Sequence, residues 1–149
     1  MQDNTKIFFW SPFTGNVGTV KNVINTAYSL VKFSKKKNFE ISLLNVFGEW
    51  NFAKNDVLKR NILIKDFYNI NFFLNFKKEG FLRSRIAYFY IFLKSIFPLH
   101  TLLKNTKPTF LIIHLITSLP LFLFIIQNYE TKLILRISGL PKMTFLRRI

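Results

Sequence analysis

Three short segments place residues that bind phosphate or sugar close to the ends of apolar runs. The first, Thr14–Thr19, reads TGNVGT and follows such a run. Glycines let the backbone approach a ligand closely, and the free N–H groups at the start of a helix bind phosphate. We therefore predict a phosphate-binding loop made of Gly15, Asn16, Val17 and Gly18. A tight strand-to-helix turn without a ligand is the structural alternative.

The second segment contains His114, which lies late in the uncharged run Thr109–Thr117. Ligands of open α/β sheets bind beyond the carboxyl ends of the strands, so His114 is a candidate for ligand binding and for catalysis. A histidine packed in the core is the alternative. The only other histidine is His100, which lies across a predicted chain break, and we therefore expect no metal site.

The third segment, Arg136–Gly139, ends the last apolar run. Arg136 and Ser138 alternate with apolar neighbours and should lie at the same edge of the sheet. An arginine there can hold a phosphate or a sugar hydroxyl, and a structural ion pair is the alternative. We include Arg136, Ser138 and Gly139 in the predicted site.

Several classes of site are disfavoured by what the sequence lacks. The chain has no cysteine, which removes disulfides, thiolate metal sites and cysteine nucleophiles. The loop Thr14–Thr19 does not match the dinucleotide pattern G-x-G-x-x-G, and no acidic residue closes the second apolar run, Phe39–Phe47. A phosphate-binding P-loop is also excluded because no Gly-Lys-Ser/Thr sequence is present.

The elements that would position these residues follow from apolar periodicity. Lys6–Pro12 and Phe39–Phe47 are predicted strands, and between them apolar residues recur at helical spacing from Val20 to Val31. A strand, a helix and a strand in this order predict a parallel sheet. The polar, Asn-rich region 48–78 has weaker signals: Leu58–Phe67 suggests a short helix or strand, and Ile70–Phe76 a strand.

The second half of the chain continues the alternation. Phe81–Leu103 is a predicted long helix and Lys104–Pro108 a break. The uncharged run Thr109–Thr117 is a predicted central strand, Leu121–Tyr129 a helix and Lys132–Ser138 a strand. The fold class predicted for the whole chain is α/β, a Rossmann-like parallel sheet flanked by helices.

The formal charge of +15 favours an anionic partner: nucleic acid, anionic lipid or a nucleotide diphosphate. Biased genomic base composition is the alternative explanation. Arg83, Arg85 and Lys94 bracket the apolar part of the predicted helix Phe81–Leu103, so we predict that they face an anionic membrane surface. A core helix is the alternative.

Three segments in order resemble the N-terminal domain of the family 4 glycosyltransferases, which have the GT-B fold. Lys6–Lys21 (KIFFWSPFTGNVGTVK) resembles their first strand and glycine loop. Lys107–Pro120 (KPTFLIIHLITSLP) resembles their Lys-Pro-Asp-hydrophobic-His strand, with Thr109 in place of the aspartate. Lys132–Lys142 (KLILRISGLPK) resembles the strand and turn that follow.

The resemblance implies that residues 1–149 form a Rossmann-like acceptor-side domain of a two-domain enzyme, incomplete at its C-terminal end and without the donor-binding domain. It implies transfer of a sugar from a nucleotide-sugar to a glycan or lipid-linked acceptor of lipopolysaccharide, capsule or exopolysaccharide, with no metal or other cofactor. Gly15 and Gly18 would approach the donor diphosphate, while His114 and Arg136 would face the cleft between the domains. This part alone is expected to be inactive.

The same resemblance implies a peripheral enzyme at the cytoplasmic face of the inner membrane, with no nucleic-acid partner. Two other readings of the sequence stay open. One is a small integral membrane protein with spans near Phe81–Leu103 and Thr109–Ile126. The other is a basic nucleic-acid-binding protein, which should carry exposed aromatic residues between its lysines and arginines.

Overall fold

Five parallel strands form a single sheet in the computed structural model, which describes residues 5–12, 18–34, 39–68, 81–114 and 130–136. The sheet order is β3-β2-β1-β4-β5, and every neighbouring pair is parallel. The strands are β1 (Thr5–Trp10), β2 (Phe39–Asn45), β3 (Leu63–Asp66), β4 (Phe110–His114) and β5 (Lys132–Arg136). The predicted α/β, Rossmann-like class is confirmed.

The central strand, β1, is apolar on both faces because each face is covered by packed side chains. Ile7 and Phe9 belong to one core cluster, and Phe8 and Trp10 belong to the other. A parallel strand that is buried on both faces in this way has a continuous apolar sequence. The prediction that β4 lies inside the sheet is likewise confirmed, since β1 and β5 pair with its two edges.

Helix α1 (Gly18–Phe33) covers the first of these faces. Its buried residues are those that recur at helical spacing in the sequence: Val20, Val23, Ile24 and Ala27. They pack in the same cluster as Phe9 of β1 and Leu43 of β2. The β1–α1–β2 unit therefore forms as its apolar pattern predicts.

Helix α3 (Phe81–Thr106) supplies Ile91, Leu99 and Leu103 to the core cluster on the opposite face. It contains Pro98, which has no N–H group to donate to the carbonyl of Lys94, four residues earlier. The hydroxyl of Tyr68 donates to that carbonyl at 3.2 Å and replaces the missing helical bond. The helix can therefore continue through the proline with this acceptor satisfied.

The region between β2 and α3 has a polar composition, yet it contributes several buried apolar side chains to the core. Trp50, Val57 and Ile62 are almost fully buried in the core cluster beneath α1. A single 3₁₀ turn (Asn51–Ala53) and helix α2 (Lys54–Lys59) lead into β3, so the predicted segment Leu58–Phe67 contains the end of a helix and a strand. The strand predicted at residues 70–76 lies outside the described residues.

The predicted break at Lys104–Pro108 begins too early. Helix α3 continues to Thr106, and Lys107 ends it with a left-handed φ of 41° while its N–H donates to the carbonyl of Leu103. The residue before a proline avoids α-helical backbone angles. Pro108 therefore determines where the helix ends, and Lys104 does not. The helix predicted at residues 121–129 lies outside the described residues.

Candidate functional site

The chain first adds strands on one side of β1 and then on the other side, so the topological switch point of the sheet lies between β1 and β4. From β1 the chain moves outward through β2 to β3, and then returns to the other side of β1 to form β4 and β5. In open parallel sheets such a switch point leaves a crevice beyond the carboxyl ends of the two strands, where ligands bind. Ser11 directly follows β1, and His114 is the last residue of β4.

Ser11 and His114 contact each other at this switch point. Trp10 pairs with Ile113 in the β1–β4 register, which brings the next residue of each strand side by side. Ser11 Oγ lies 3.2 Å from His114 Nδ1, and both residues are buried. The imidazole stacks on Phe9, with ring centroids 6.5 Å apart. Pairing, packing and one hydrogen bond therefore all fix the position of the ring.

His114 is a neutral imidazole at physiological pH. Burial, followed by the positive charge of Arg136, lowers the pKa of His114 from 6.5 to about 4. Among the residues that the structure describes, no group forms a hydrogen bond with Nε2, although the side chain is only 2% exposed. Buried polar atoms are nearly always paired, which makes this nitrogen a candidate contact for a ligand.

Arg136 ends β5 beside His114, with which it is paired in the register of the sheet. Its Nη1 donates to the hydroxyl of Thr26 on α1, and that hydroxyl donates in turn to the carbonyl of Asn22 at 2.7 Å. None of the ion pairs among the described residues includes Arg136. Within the described residues, the guanidinium is thus held by a neutral partner.

Gly18 is the first residue of α1 and the only member of the predicted glycine loop that the structure describes. A Cβ built on Gly18 would meet no heavy atom of the described residues within 4 Å, so packing against them does not demand a glycine here. Close approach of a ligand would account for the missing side chain. Gly15, Asn16, Val17, Ser138 and Gly139 lie outside the described residues.

A second group of polar side chains closes the same edge of the sheet above β2 and β3. The Asn45 amide nitrogen donates to Asp66 and, at 3.0 Å, to Asn51, while its oxygen accepts the Trp50 backbone N–H at 3.1 Å. Lys54 Nζ lies 3.1 Å from the other carboxylate oxygen of Asp66. These groups satisfy one another, which leaves the β1–β4 edge as the better candidate for a ligand.

Glu49 is the other buried ionisable residue near this edge. Its Oε2 accepts the N–H of Phe47 at 2.6 Å, in a turn where Gly48 has a left-handed φ of 87°. Its Oε1 has no hydrogen-bond partner within the described ranges. Burial, opposed by backbone hydrogen bonds and assisted by the charge of Asp66, raises the pKa of Glu49 from 4.5 to about 7. Glu49 is thus a buried carboxyl that titrates near neutrality.

Reasoning from the sequence identified His114 and Arg136 but missed Ser11, Asn45, Glu49 and Asp66. Ser11 could have been identified from the pairing of the strands. It directly follows one predicted strand, and His114 ends the strand beside it. Glu49 stands alone in the otherwise apolar or glycine sequence Val46–Trp50, a sign that this carboxyl is buried with the turn. The contact between Asn45 and Asp66 could be predicted only with the knowledge that β2 and β3 are neighbours in the sheet.

The residues predicted to face a membrane all lie in α3, but the structure describes the side chain of only one of them. Lys94 is exposed, and its ammonium lies 5.7 Å from the ring centre of Tyr90. The side chains of Arg83 and Arg85 lie outside the description. Exposed apolar residues on the same helix recur at helical spacing: Ile86, Phe89, Tyr90, Leu93 and Phe97.

Within the residues described here, no helix combines the length and hydrophobicity needed to cross a bilayer. Residues 110–114 of the second proposed span form strand β4 of the sheet. The two-span reading of the sequence therefore receives no support.

Comparisons with protein-family models, with curated proteins and with solved structures found no match to this chain. The class that the fold and the site define is an α/β protein with a Rossmann-like parallel sheet and a buried Ser–His pair at its switch point.

The raised pKa of Glu49 predicts a pH-dependent gain in stability for Glu49→Gln. Unfolded Glu49 loses its proton near pH 4.5, and folded Glu49 keeps it to about pH 7. Its contribution to stability is complete below pH 4.5 and is lost as the pH rises to 7. Relative to the wild type, the variant should therefore gain roughly 3 kcal/mol in unfolding free energy between pH 4 and pH 8.

Urea unfolding of both proteins across this pH range measures that gain. The comparison between proteins is needed because His114 acts in the opposite direction: its stabilisation is complete above pH 6.5 and is lost as the pH falls to about 4. A difference between Glu49→Gln and wild type that does not change with pH would show that Glu49 titrates normally.

Proposed function

We propose that this chain is the acceptor-side, N-terminal part of a GT-B glycosyltransferase that moves a sugar from a nucleotide-sugar to a glycan or lipid-linked acceptor. The observation that carries the proposal is the position of His114 at the switch point of the sheet, where its Nε2 has no hydrogen-bond partner among the described residues. The sequence Lys107-Pro108 before that strand and the glycine loop after β1 add the resemblance to family 4.

The chemistry proposed for the site is the stabilisation of a departing diphosphate. As the bond from sugar to diphosphate breaks, negative charge grows on the leaving oxygen, and aligned N–H groups lower the energy of that state. The backbone at the start of α1 and the guanidinium of Arg136 are the proposed donors. They would perform the task that a divalent metal performs in other transferases, so no metal is required.

The second domain that the resemblance implies would supply most of the nucleotide-binding contacts and the acidic motif. We therefore expect residues 1–149 to bind a nucleotide-sugar weakly and not to turn it over. Binding, and not product formation, is the appropriate measurement for this chain.

Peripheral binding to an anionic membrane is the second part of the proposal. Five apolar side chains along one side of α3 are exposed beside Lys94, which is the pattern of a helix lying in a lipid interface: Ile86, Phe89, Tyr90, Leu93 and Phe97. The net charge of +15 would attract such a protein to anionic lipid. A lipid-linked acceptor would be met at that surface.

Replacing Arg136 with Gln should weaken the binding of UDP and of UDP-sugars about tenfold, since a charge-assisted hydrogen bond to phosphate is worth roughly 1.5–3 kcal/mol. Lys132→Gln is the matched control. Lys132 lies on the same strand but at its amino end, where it contacts the ring of Phe110. Isothermal titration calorimetry measures both affinities. Equal affinities of the two variants would contradict a phosphate site at the carboxyl edge.

Replacing Phe97 with Ser should reduce binding to vesicles of phosphatidylglycerol and phosphatidylcholine about tenfold, because an inserted phenyl ring contributes roughly 1.5–3 kcal/mol. Phe33→Ser on α1 is the control, since Phe33 is 79% exposed and Phe97 is 78% exposed. Co-sedimentation measures the bound fraction. The same loss in both variants, or no binding by the wild type, would contradict docking through α3.

A further inference from the structure

Helix α3 carries two residues in successive turns that disturb its backbone hydrogen bonding. Pro98 has no N–H group, so the carbonyl of Lys94 loses its helical donor. In the preceding turn, the buried hydroxyl of Ser95 donates to the carbonyl of Ile91, a contact that also bends helices. Helices bend sharply where such residues interrupt the hydrogen-bond ladder. The segment from Ile91 to Pro98 is therefore the place where the two parts of α3 can tilt against each other.

Tyr68 supplies the donor that Pro98 lacks. Its hydroxyl lies 3.2 Å from the carbonyl oxygen of Lys94, and the tyrosine must be the donor because a carbonyl can only accept. The ring of Tyr68 is positioned by the ring of Phe47, with ring centroids 5.9 Å apart, and Phe47 is buried in the core cluster beneath α3. A side chain that follows β3 thus ties the weak segment of α3 to the sheet.

The exposed apolar stripe of α3 crosses this weak segment. Its members are Ile86, Phe89, Tyr90, Leu93 and Phe97. Four of them precede Lys94, and Phe97 follows it. Lys94 is exposed and Pro98 is half-buried, so the bond from Tyr68 reaches α3 at the edge of the stripe. A flat lipid surface can contact all five side chains only while α3 keeps its direction through this segment.

We propose that Tyr68 is a positioning residue for membrane docking: its hydrogen bond to the carbonyl of Lys94 holds the two parts of α3 at one fixed angle, so that the whole stripe meets the lipid. This role rests on the membrane binding proposed above. The bond has a second consequence at a lipid surface. A carbonyl without a donor can bind water in solution, but bringing it into an apolar interface is costly. Tyr68 removes this cost before the helix docks.

The experiment is a double-mutant cycle between Tyr68 and Pro98, measured by co-sedimentation with vesicles of phosphatidylglycerol and phosphatidylcholine. Tyr68→Phe keeps the ring against Phe47 and removes only the hydroxyl, so it should weaken vesicle binding about fivefold, the effect of one net hydrogen bond. Pro98→Ala restores an N–H group that can donate to the carbonyl of Lys94. In that background Tyr68→Phe should change binding about twofold or less.

Tyr28→Phe is the matched control, because it removes a hydroxyl from a tyrosine of nearly the same exposure on another helix. Tyr28 of α1 is 37% exposed and Tyr68 is 38% exposed. The control variant should bind vesicles as the wild type does. An equal loss in Tyr68→Phe and Tyr28→Phe would overturn the proposal. A loss in Tyr68→Phe that persists in the Pro98→Ala background would also overturn it, since the hydroxyl would then act elsewhere than on Lys94.

Amide hydrogen exchange of the free protein separates this inference from the proposed membrane binding. Without lipid, Tyr68→Phe should accelerate the exchange of the Phe97 and Leu99 amides about fivefold, and this effect should disappear in the Pro98→Ala background. Unchanged exchange in Tyr68→Phe would show that the hydroxyl does not hold the segment and would overturn the inference.

The vesicle measurement then distinguishes the two ways in which the account can fail. If exchange changes as expected but the wild type does not bind vesicles, the membrane proposal is contradicted and the positioning role falls with it. If the wild type binds vesicles and Tyr68→Phe binds them equally well, membrane binding stands and only the positioning role of Tyr68 is overturned.

Discussion

Parallel pairing of β1 with both β2 and β4 is the constraint on which the rest of the structure depends. Parallel neighbours cannot be joined by tight turns, so helices must return the chain across the faces of the sheet. Those helices bury both faces, and the central strand β1 becomes an apolar run from Ile7 to Trp10 whose next polar side chain, Ser11, directly follows it. The carboxyl edge therefore collects Ser11, Asn45, Asp66 and His114 without any of them being close in sequence.

The two halves of that edge differ in how completely their buried polar groups are hydrogen-bonded. Above β2 and β3, Asn45 uses both ends of its amide, and Asp66 is neutralised by Lys54. Above β1 and β4, the hydrogen bond between Ser11 and His114 satisfies one ring nitrogen, and the other has no partner in the part of the chain that the structure describes. The β1–β4 half of the edge is for this reason the candidate ligand site.

The elements that the sequence predicted well are those whose apolar spacing is long and regular. The apolar period of α1 and the continuous apolar runs of β1 and β4 were sufficient to predict these elements. The end of α3 was predicted too early because Lys104 seemed to mark a break, although Pro108 is the residue that sets it. The region around Trp50 was predicted poorly because buried residues there are separated by exposed asparagines and lysines, so local composition hides the packing. Ser11 and Glu49 gain their character from strand neighbours and burial, which only the assembled sheet supplies.

The central claim, that a nucleotide diphosphate binds at the switch point of the sheet, is tested most directly by mapping UDP onto the assigned ¹H–¹⁵N spectrum of the uniformly labelled chain. The account predicts that amide shifts concentrate at Ser11, in the first turn of α1 from Gly18, at His114 and at Arg136. Shifts that concentrate instead at the amino ends of the strands, such as Thr5, Phe39 and Phe110, or no shifts at millimolar UDP, would contradict it.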